Sequence, residues 1–376
     1  MQFRDLKAQY QSLKADIDEA VQRVLNDCNF ISGQQVRELE ESLAAYTGVK
    51  HCIACANGTD ALSLPLMAWD IKAGDAVFMP DFTFFATGEV VSLAGAVPVF
   101  VDVDPDTYNI DPVRLEAAVI KVIKEGQLKP RAVIPVDLFG LPADYTALEK
   151  IAAEYDLLIL EDGAQGFGGM SGNKRACSFG QAATTSFFPA KPLGCYGDGG
   201  AIFTDDDELA AVIRSIAVHG KGQDKYDNVR IGMNSRLDTL QAAILQVKFK
   251  AFTDYELDYV NRVAAFYTER LQGLVKTPVV TEGYYSCWAQ YTIQLKDKEQ
   301  RDRLQEDLKK AGIPAMIYYA KPMHKQTAFA EMVFDEKDFP VSNYICDRVL
   351  SLPIHPYLTE EEQERVIEVV GRSVGE

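Results

Sequence analysis

From about residue 50 to 205, short apolar runs alternate with amphipathic stretches, and no other feature narrows the fold as far. His51–Ala56, Ala76–Met79, Val97–Val101, Ala132–Val136, Leu157–Leu160, Thr184–Phe188 and Ala201–Thr204 have the length and apolar content of buried strands. Helical patterns such as Tyr145–Tyr155 lie between several of them. This alternation predicts an α/β fold, a mainly parallel central sheet covered by helices on both faces. Sheets of that kind bind ligands beyond the carboxyl ends of their strands. Ahead of this region, Ala8–Asp27 and Gln35–Tyr46 read as amphipathic helices separated by a turn at Ser32-Gly33. After it, Ser235–Lys250 and Tyr259–Leu274 read as long helices, and a sheet-and-helix pattern runs on to the C-terminus. The reading is a large domain over 1–250 and a smaller C-terminal α+β domain over 251–376, joined through a helix near 245–260.

With 376 residues, 47% hydrophobic and 25% charged, the chain is expected to bury a large core without help from disulfides or metals. Its 55 acidic and 38 basic residues leave a net charge of −17, so nucleic acid and anionic membrane are poor partners. The N-terminus is charged from Arg4 onward, and no apolar run is long enough to span a bilayer, so a cytoplasmic protein is expected. Seven dispersed cysteines, an odd number, fit free thiols in a reducing compartment. Cys52 and Cys55 form a single CxxC. A zinc or redox site would need a second pair or clustered histidines, and His51, His219, His324 and His355 are scattered, so both cysteines read as buried strand residues and no metal is expected.

Three segments carry chemistry. In Ala54–Leu62 a strand ends, a small turn follows, and a helix opens with Thr59 or Asp60 in its first turn. Free N–H groups at such a start, with a hydroxyl, form a phosphate seat, although strand–Gly–Thr–helix is also an ordinary capped turn. Pro65 is expected to kink that helix. In Leu157–Gln165, four apolar residues lead to Asp162 at a strand's carboxyl end, where a buried carboxylate needs a cationic partner or else caps the next turn. Lys191 follows another strand in an apolar segment bracketed by Pro189 and Pro192. Desolvation there would lower the amine's pKa and free it as a nucleophile; a lysine snorkelling to solvent is the alternative. An anion seat, a carboxylate and a desolvated amine are together what pyridoxal phosphate requires.

Other inviting patterns do not hold. The Gly-rich stretches 166–172 and 194–200 miss the G-x-G-x-x-G spacing, and no P-loop occurs. Asp102, Asp104 and Asp106 begin like a calcium loop, but Thr107 and Val113 stand where Gly and Glu belong. Asp205–Glu208 opens a helix, where carboxylates suit the dipole.

With these residues in view, the chain resembles the DegT/DnrJ/EryC1/StrS sugar aminotransferases, pyridoxal-phosphate enzymes of the aspartate-aminotransferase (type I) fold. The resemblance covers nearly the whole chain and rests on six motifs in order: Asn57-Gly-Thr-Asp-Ala-Leu62, Phe82-Thr-Phe-Phe-Ala-Thr87, Glu161-Asp-Gly-Ala-Gln165, Ser186-Phe-Phe-Pro-Ala-Lys-Pro-Leu-Gly194, Gly197-Asp-Gly-Gly200 and Asn234-Ser-Arg-Leu-Asp238. One departure is Gly163, where the family more often has Ala.

The resemblance implies that Lys191 carries the cofactor as a Schiff base and Asp162 pairs with its pyridinium nitrogen. Gln165 would touch the ring hydroxyl edge, Phe84 would stack on the ring, and Gly58, Thr59 and Ser186 would hold the phosphate. Asn234 would reach that phosphate from the second subunit of a homodimer with shared active sites. The implied reaction moves the amine of L-glutamate, released as 2-oxoglutarate, to a nucleotide-linked keto sugar for cell-surface polysaccharides such as O-antigen. The runs Ser186–Thr204 and Asn234–Leu245 look most like members that aminate C3 of a UDP-linked 2-acetamido-3-keto-glucuronate. Arg236 would then pair with the uronate carboxylate. Those members carry His-Tyr where this chain has Tyr318-Tyr319, the other expected substrate contacts. The rival readings are C3 or C4 amination of a dTDP- or UDP-linked keto-6-deoxyhexose, a 3-dehydratase, which would need histidine in place of Lys191, amination of scyllo-inosose, and a non-catalytic sugar-binding regulator.

Overall fold

A computed structural model describes residues 1–224 and 226–375. Seven strands make the central sheet: β1 (His51–Cys55), β2 (Asp75–Pro80), β3 (Val97–Val101), β4 (Lys129–Val133), β5 (Leu158–Asp162), β6 (Ala182–Ser186) and β7 (Gly200–Thr204). Their spatial order is β1-β7-β6-β5-β4-β2-β3, and only β7 runs antiparallel to its neighbours. The parallel strands therefore end on one edge, which carries Cys55, Pro80, Asp162 and Ser186. β7 presents its first residue there: Gly200 pairs with both Cys55 and Ser186. A side chain at 200 would stand 2.5 Å from the Asn57 carbonyl oxygen, so the position requires glycine.

The strands are buried on both faces because helices cover both. The helix Tyr145–Tyr155 shows how the sequence does this. Asp144 caps it by accepting the Ala147 N–H at 3.1 Å, Leu148, Ile151 and Ala152 recur on its buried face, and Asp156 ends it in a left-handed conformation. Burying a leucine such as Leu148 contributes about 1.5–3 kcal/mol. The helix Gly58–Ala68 continues through Pro65 to Ala68. Cys52 and Cys55 are buried in β1, and all seven cysteines are free thiols.

The helix Leu6–Asp27 packs on Thr239–Ala251. That second helix passes through a wider π-type turn at Phe252–Glu256 directly into Leu257–Leu271. Beyond it, the antiparallel pair Tyr291–Gln294 and Val349–Leu352 and the helices Lys298–Lys310 and Glu360–Gly375 enclose their own cluster, including Tyr267, Ile293, Leu304 and Val366. The segment between those two strands leaves that cluster. Its Met323, Phe329 and Phe339 pack instead with Val90 and Phe100 against the central sheet. Among the described residues no helix is long and apolar enough to cross a membrane.

The acidic runs are structural. Asp104 accepts the backbone N–H groups of Asp106 and Thr107, and Asp102 accepts those of Val341 and Ser342 at the start of the helix Pro340–Cys346. Asp206 caps the helix Asp207–Ile216.

Candidate active site

The sheet edge gathers the predicted groups. Asn57 caps the helix Gly58–Ala68: its Oδ1 accepts the Asp60 N–H at 2.8 Å and its carbonyl accepts that of Ala61 at 3.0 Å. Among the described residues this leaves the Gly58 and Thr59 N–H groups without partners at a helix start, the arrangement that seats an anion. Ser186, ending β6, forms the opposite wall. A Cβ at Gly58 would lie 2.7 Å from Ser186 Cβ and would fill the seat.

Asp162 is buried at the end of β5, where its Oδ2 accepts the Thr87 hydroxyl at 2.9 Å and its Oδ1 accepts the Ala164 N–H at 3.2 Å. Of the two sequence readings of this residue, the turn cap is seen directly in the Ala164 contact, while no cation forms an ion pair with it among the described residues. Burial pushes its carboxyl above the ordinary range, opposed by the Thr87 hydrogen bond and then by the charge of Lys191. The same burial pushes the Lys191 amine below the ordinary lysine value, against the pull of Asp162 and with a smaller push from Arg4. Among the described residues the amine has no ion pair within 4 Å, and Lys191 is partly buried rather than extended to solvent.

Gln165 is buried with both ends of its amide fixed: Oε1 accepts the Phe139 N–H at 2.8 Å and Nε2 donates to the Tyr319 hydroxyl at 3.0 Å. Phe84 is 56% exposed at the mouth, its ring 6.5 Å from that of Tyr319, and Tyr318 contacts Phe3 at 6.1 Å. Asn234 and Arg236 stand apart from this group. The Arg236 guanidinium donates to Asn234 Oδ1, and Ser235 between them accepts the Ala56 N–H at 3.1 Å. Among the described residues no hydrogen bond joins either to Lys191, Asp162 or Gln165, and Arg236 forms no salt bridge with Asp238. Arg236 lines a cavity of about 240 Å³ together with Arg37, Glu40 and Arg214.

Three groups escaped the sequence reading. Thr87 sits in a motif where a hydroxyl gives no sign of its target. Arg4 donates to the Pro192 carbonyl at 3.2 Å, beside Lys191, from the far end of the chain. Glu161, the neighbour of Asp162, points to the other face of β5, where burial and then the nearby Asp137 carboxylate push its carboxyl far up.

The anion seat, the carboxylate at a strand end and the free amine fit pyridoxal phosphate, each offering chemistry that cofactor needs. On a sheet of this order, the combination defines a class, the fold type I transaminases that use pyridoxal phosphate. The sequence profile of the DegT/DnrJ/EryC1/StrS aminotransferase family matches residues 11–371, and the chain belongs to that family. It is 46% identical to the UDP-2-acetamido-2-deoxy-3-oxo-D-glucuronate aminotransferase of Pseudomonas aeruginosa, over 95% of this chain and 96% of the relative. It is 40% identical to the UDP-N-acetyl-3-dehydro-alpha-D-glucosamine 3-aminotransferase of Acidithiobacillus ferrooxidans, over 98% and 97%. The crystal structure of a family aminotransferase from Brucella abortus superposes with a TM-score of 0.97 at 50% identity, covering all of both chains.

Proposed function

We propose that this aminotransferase moves the amino group of L-glutamate to C3 of a UDP-linked 2-acetamido-2-deoxy-3-keto-glucuronate, working in the cytoplasm as a homodimer that supplies polysaccharide synthesis. The observation that carries the sugar is the 46% identity to the P. aeruginosa enzyme, which extends over 95% of the chain. Arg236 supports it, because a guanidinium in an open cavity suits bidentate binding of a uronate carboxylate. In a chain of charge −17, an anionic substrate needs such a local cationic site.

Pyridoxal phosphate, when bound, supplies an electron sink that makes the α-proton of an amino acid labile. The chain's residues then divide the work. Gly58 and Thr59 N–H groups and the Ser186 hydroxyl seat the phosphate, with Asn234 reaching it from the second subunit. Phe84 covers the ring, and Gln165, its amide immobilised by Phe139 and Tyr319, borders the ring hydroxyl. Asp162 would hold a proton on the ring nitrogen, and the Thr87 hydroxyl favours the charged form of that carboxylate and aims it. Lys191 would hold the cofactor through its amine, and that same amine, its pKa lowered by desolvation, would be the group placed to take the α-proton of the amino donor. Tyr318 and Tyr319 border the sugar.

Tyr318-Tyr319 favours a second reading, a neutral UDP-N-acetyl-3-keto sugar, the substrate class in the name of the 40% identical relative. The test is to supply holoenzyme and L-glutamate with UDP- and dTDP-linked keto sugars and follow 2-oxoglutarate release. The acidic UDP sugar is expected to give the highest kcat/KM. Preference for the neutral sugar would replace the first reading with the second.

A further inference from the structure

We infer that Asp81 and His324 form a clasp that positions both walls of the cofactor pocket: the loop leaving β2, which carries Phe84 and Thr87, and the strap that carries Tyr318 and Tyr319. Asp81 is fully buried directly after β2. Its Oδ1 accepts the His324 backbone N–H at 2.8 Å, its Oδ2 lies 2.7 Å from His324 Nδ1, and its carbonyl accepts the Met323 N–H at 2.8 Å. A carboxylate at that distance fixes the proton on Nδ1, so the ring donates. The ring stacks on Phe339 at 4.3 Å and 12°, which stops it turning away. Nε2 faces Glu336 at 3.5 Å, and Glu336 is held by Lys325 at 2.9 Å and Asn343 at 3.1 Å.

The two clasped segments reach the pocket by separate routes. Downstream of Asp81, Thr87 donates to Asp162; upstream of His324, the Tyr319 hydroxyl holds the Gln165 amide. Phe82 and Phe84 meet the Tyr319 ring at 5.8 and 6.5 Å, closing the circuit. Apolar packing around Met323 and Phe329 would stabilise the strap with many registers; a buried carboxylate that takes two hydrogen bonds from one residue admits one. Neither Asp81 nor His324 touches the anion seat, Asp162 or Lys191, so both act through others, as positioning residues.

Hydrogen exchange on the apoenzyme tests the clasp with three variants. His324→Leu should leave exchange in the central strands unchanged and speed it in 81–87 and 316–326 together, roughly 10- to 100-fold. His324→Asn, whose amide nitrogen stands as many bonds from the backbone as Nδ1, should restore slow exchange, and His324→Gln, whose amide lies one bond further out, should not. If His324→Leu does not fold, the Asn and Gln variants carry the same comparison. In the holoenzyme, the half-reaction with L-glutamate should slow about tenfold in His324→Gln and recover in His324→Asn. That arm rests on the proposed donor; the exchange arm does not, so failure of the donor assignment leaves the exchange pattern intact. Faster exchange confined to 316–326, equal behaviour of the Asn and Gln variants, or loosened segments with an unchanged half-reaction would each overturn the inference.

Discussion

Replacing Asp162 by asparagine changes one atom in a fully enclosed carboxylate and separates its structural task from its chemical one. In the native site two donors converge on it, the Thr87 hydroxyl at 2.9 Å and the Ala164 N–H at 3.2 Å. An amide offers one oxygen, so one of those donors loses its acceptor, a loss of about 1–3 kcal/mol. Burial already disfavours the charged carboxylate, and removing that charge offsets part of the loss, so the variant should fold with a modestly shifted melting temperature. Its chemistry should suffer far more. A neutral amide cannot hold a proton on the ring nitrogen, and losing the anionic half of a buried pair costs about 2–5 kcal/mol, or roughly 30- to 4,000-fold in rate. The half-reaction with L-glutamate, followed by the change in cofactor absorbance, reads this directly. Thr87→Val should move the same rate in the same direction by a smaller factor, since it removes a single hydrogen bond to the charged group. Turnover of Asp162→Asn within about threefold of wild type would refute the role given to Asp162.

Lys191→Ala should abolish transamination while the protein still binds the cofactor non-covalently; borohydride reduction of the wild-type holoenzyme, followed by peptide mapping, should find the label on Lys191, and a label on another lysine would remove the assignment. Arg236→Ala should lower kcat/KM for the uronate sugar roughly 30- to several-thousandfold more than for the matching neutral sugar, with equal losses arguing for a structural arginine. His355 gives a pH signature of stability. Burial, with a smaller push from Arg4, holds its imidazole down from 6.5 to about 4, and its Nδ1 accepts the Tyr357 N–H at 3.2 Å. The unfolded chain therefore takes up the proton first: this stability is complete above about pH 6.5, falls as pH drops toward 4, and amounts to about 3 kcal/mol. Melting curves of wild type should steepen across that window relative to His355→Gln, and parallel curves would contradict the assignment.

Much of the site was legible because its signals are local. Apolar period, capping and turn chemistry lie within a few residues of one another, so the helix Tyr145–Tyr155, the turn before Gly58 and the strand that delivers Asp162 could be read from neighbours alone. Strand ends were less so. The apolar run at 132–136 continues past the end of β4 at Val133 because Pro135 cannot donate to a ladder, and only Ile134 N–H to Phe78 O and a lone bridge at Val136 carry it on. β6 begins at Ala182, earlier than Thr184, because Ala182 pairs with Leu160. What the tertiary structure alone decided is partnership across the chain. Thr87 meets Asp162 across 75 residues, Gln165 meets Tyr319 across 154, and Asp81 meets His324 across 243. The reversed direction of β7 and the return of Met323 and Phe329 to the central sheet belong to the same kind. A hydroxyl or an imidazole has the same local signature whichever partner it finds, and only the packed chain brings the two together.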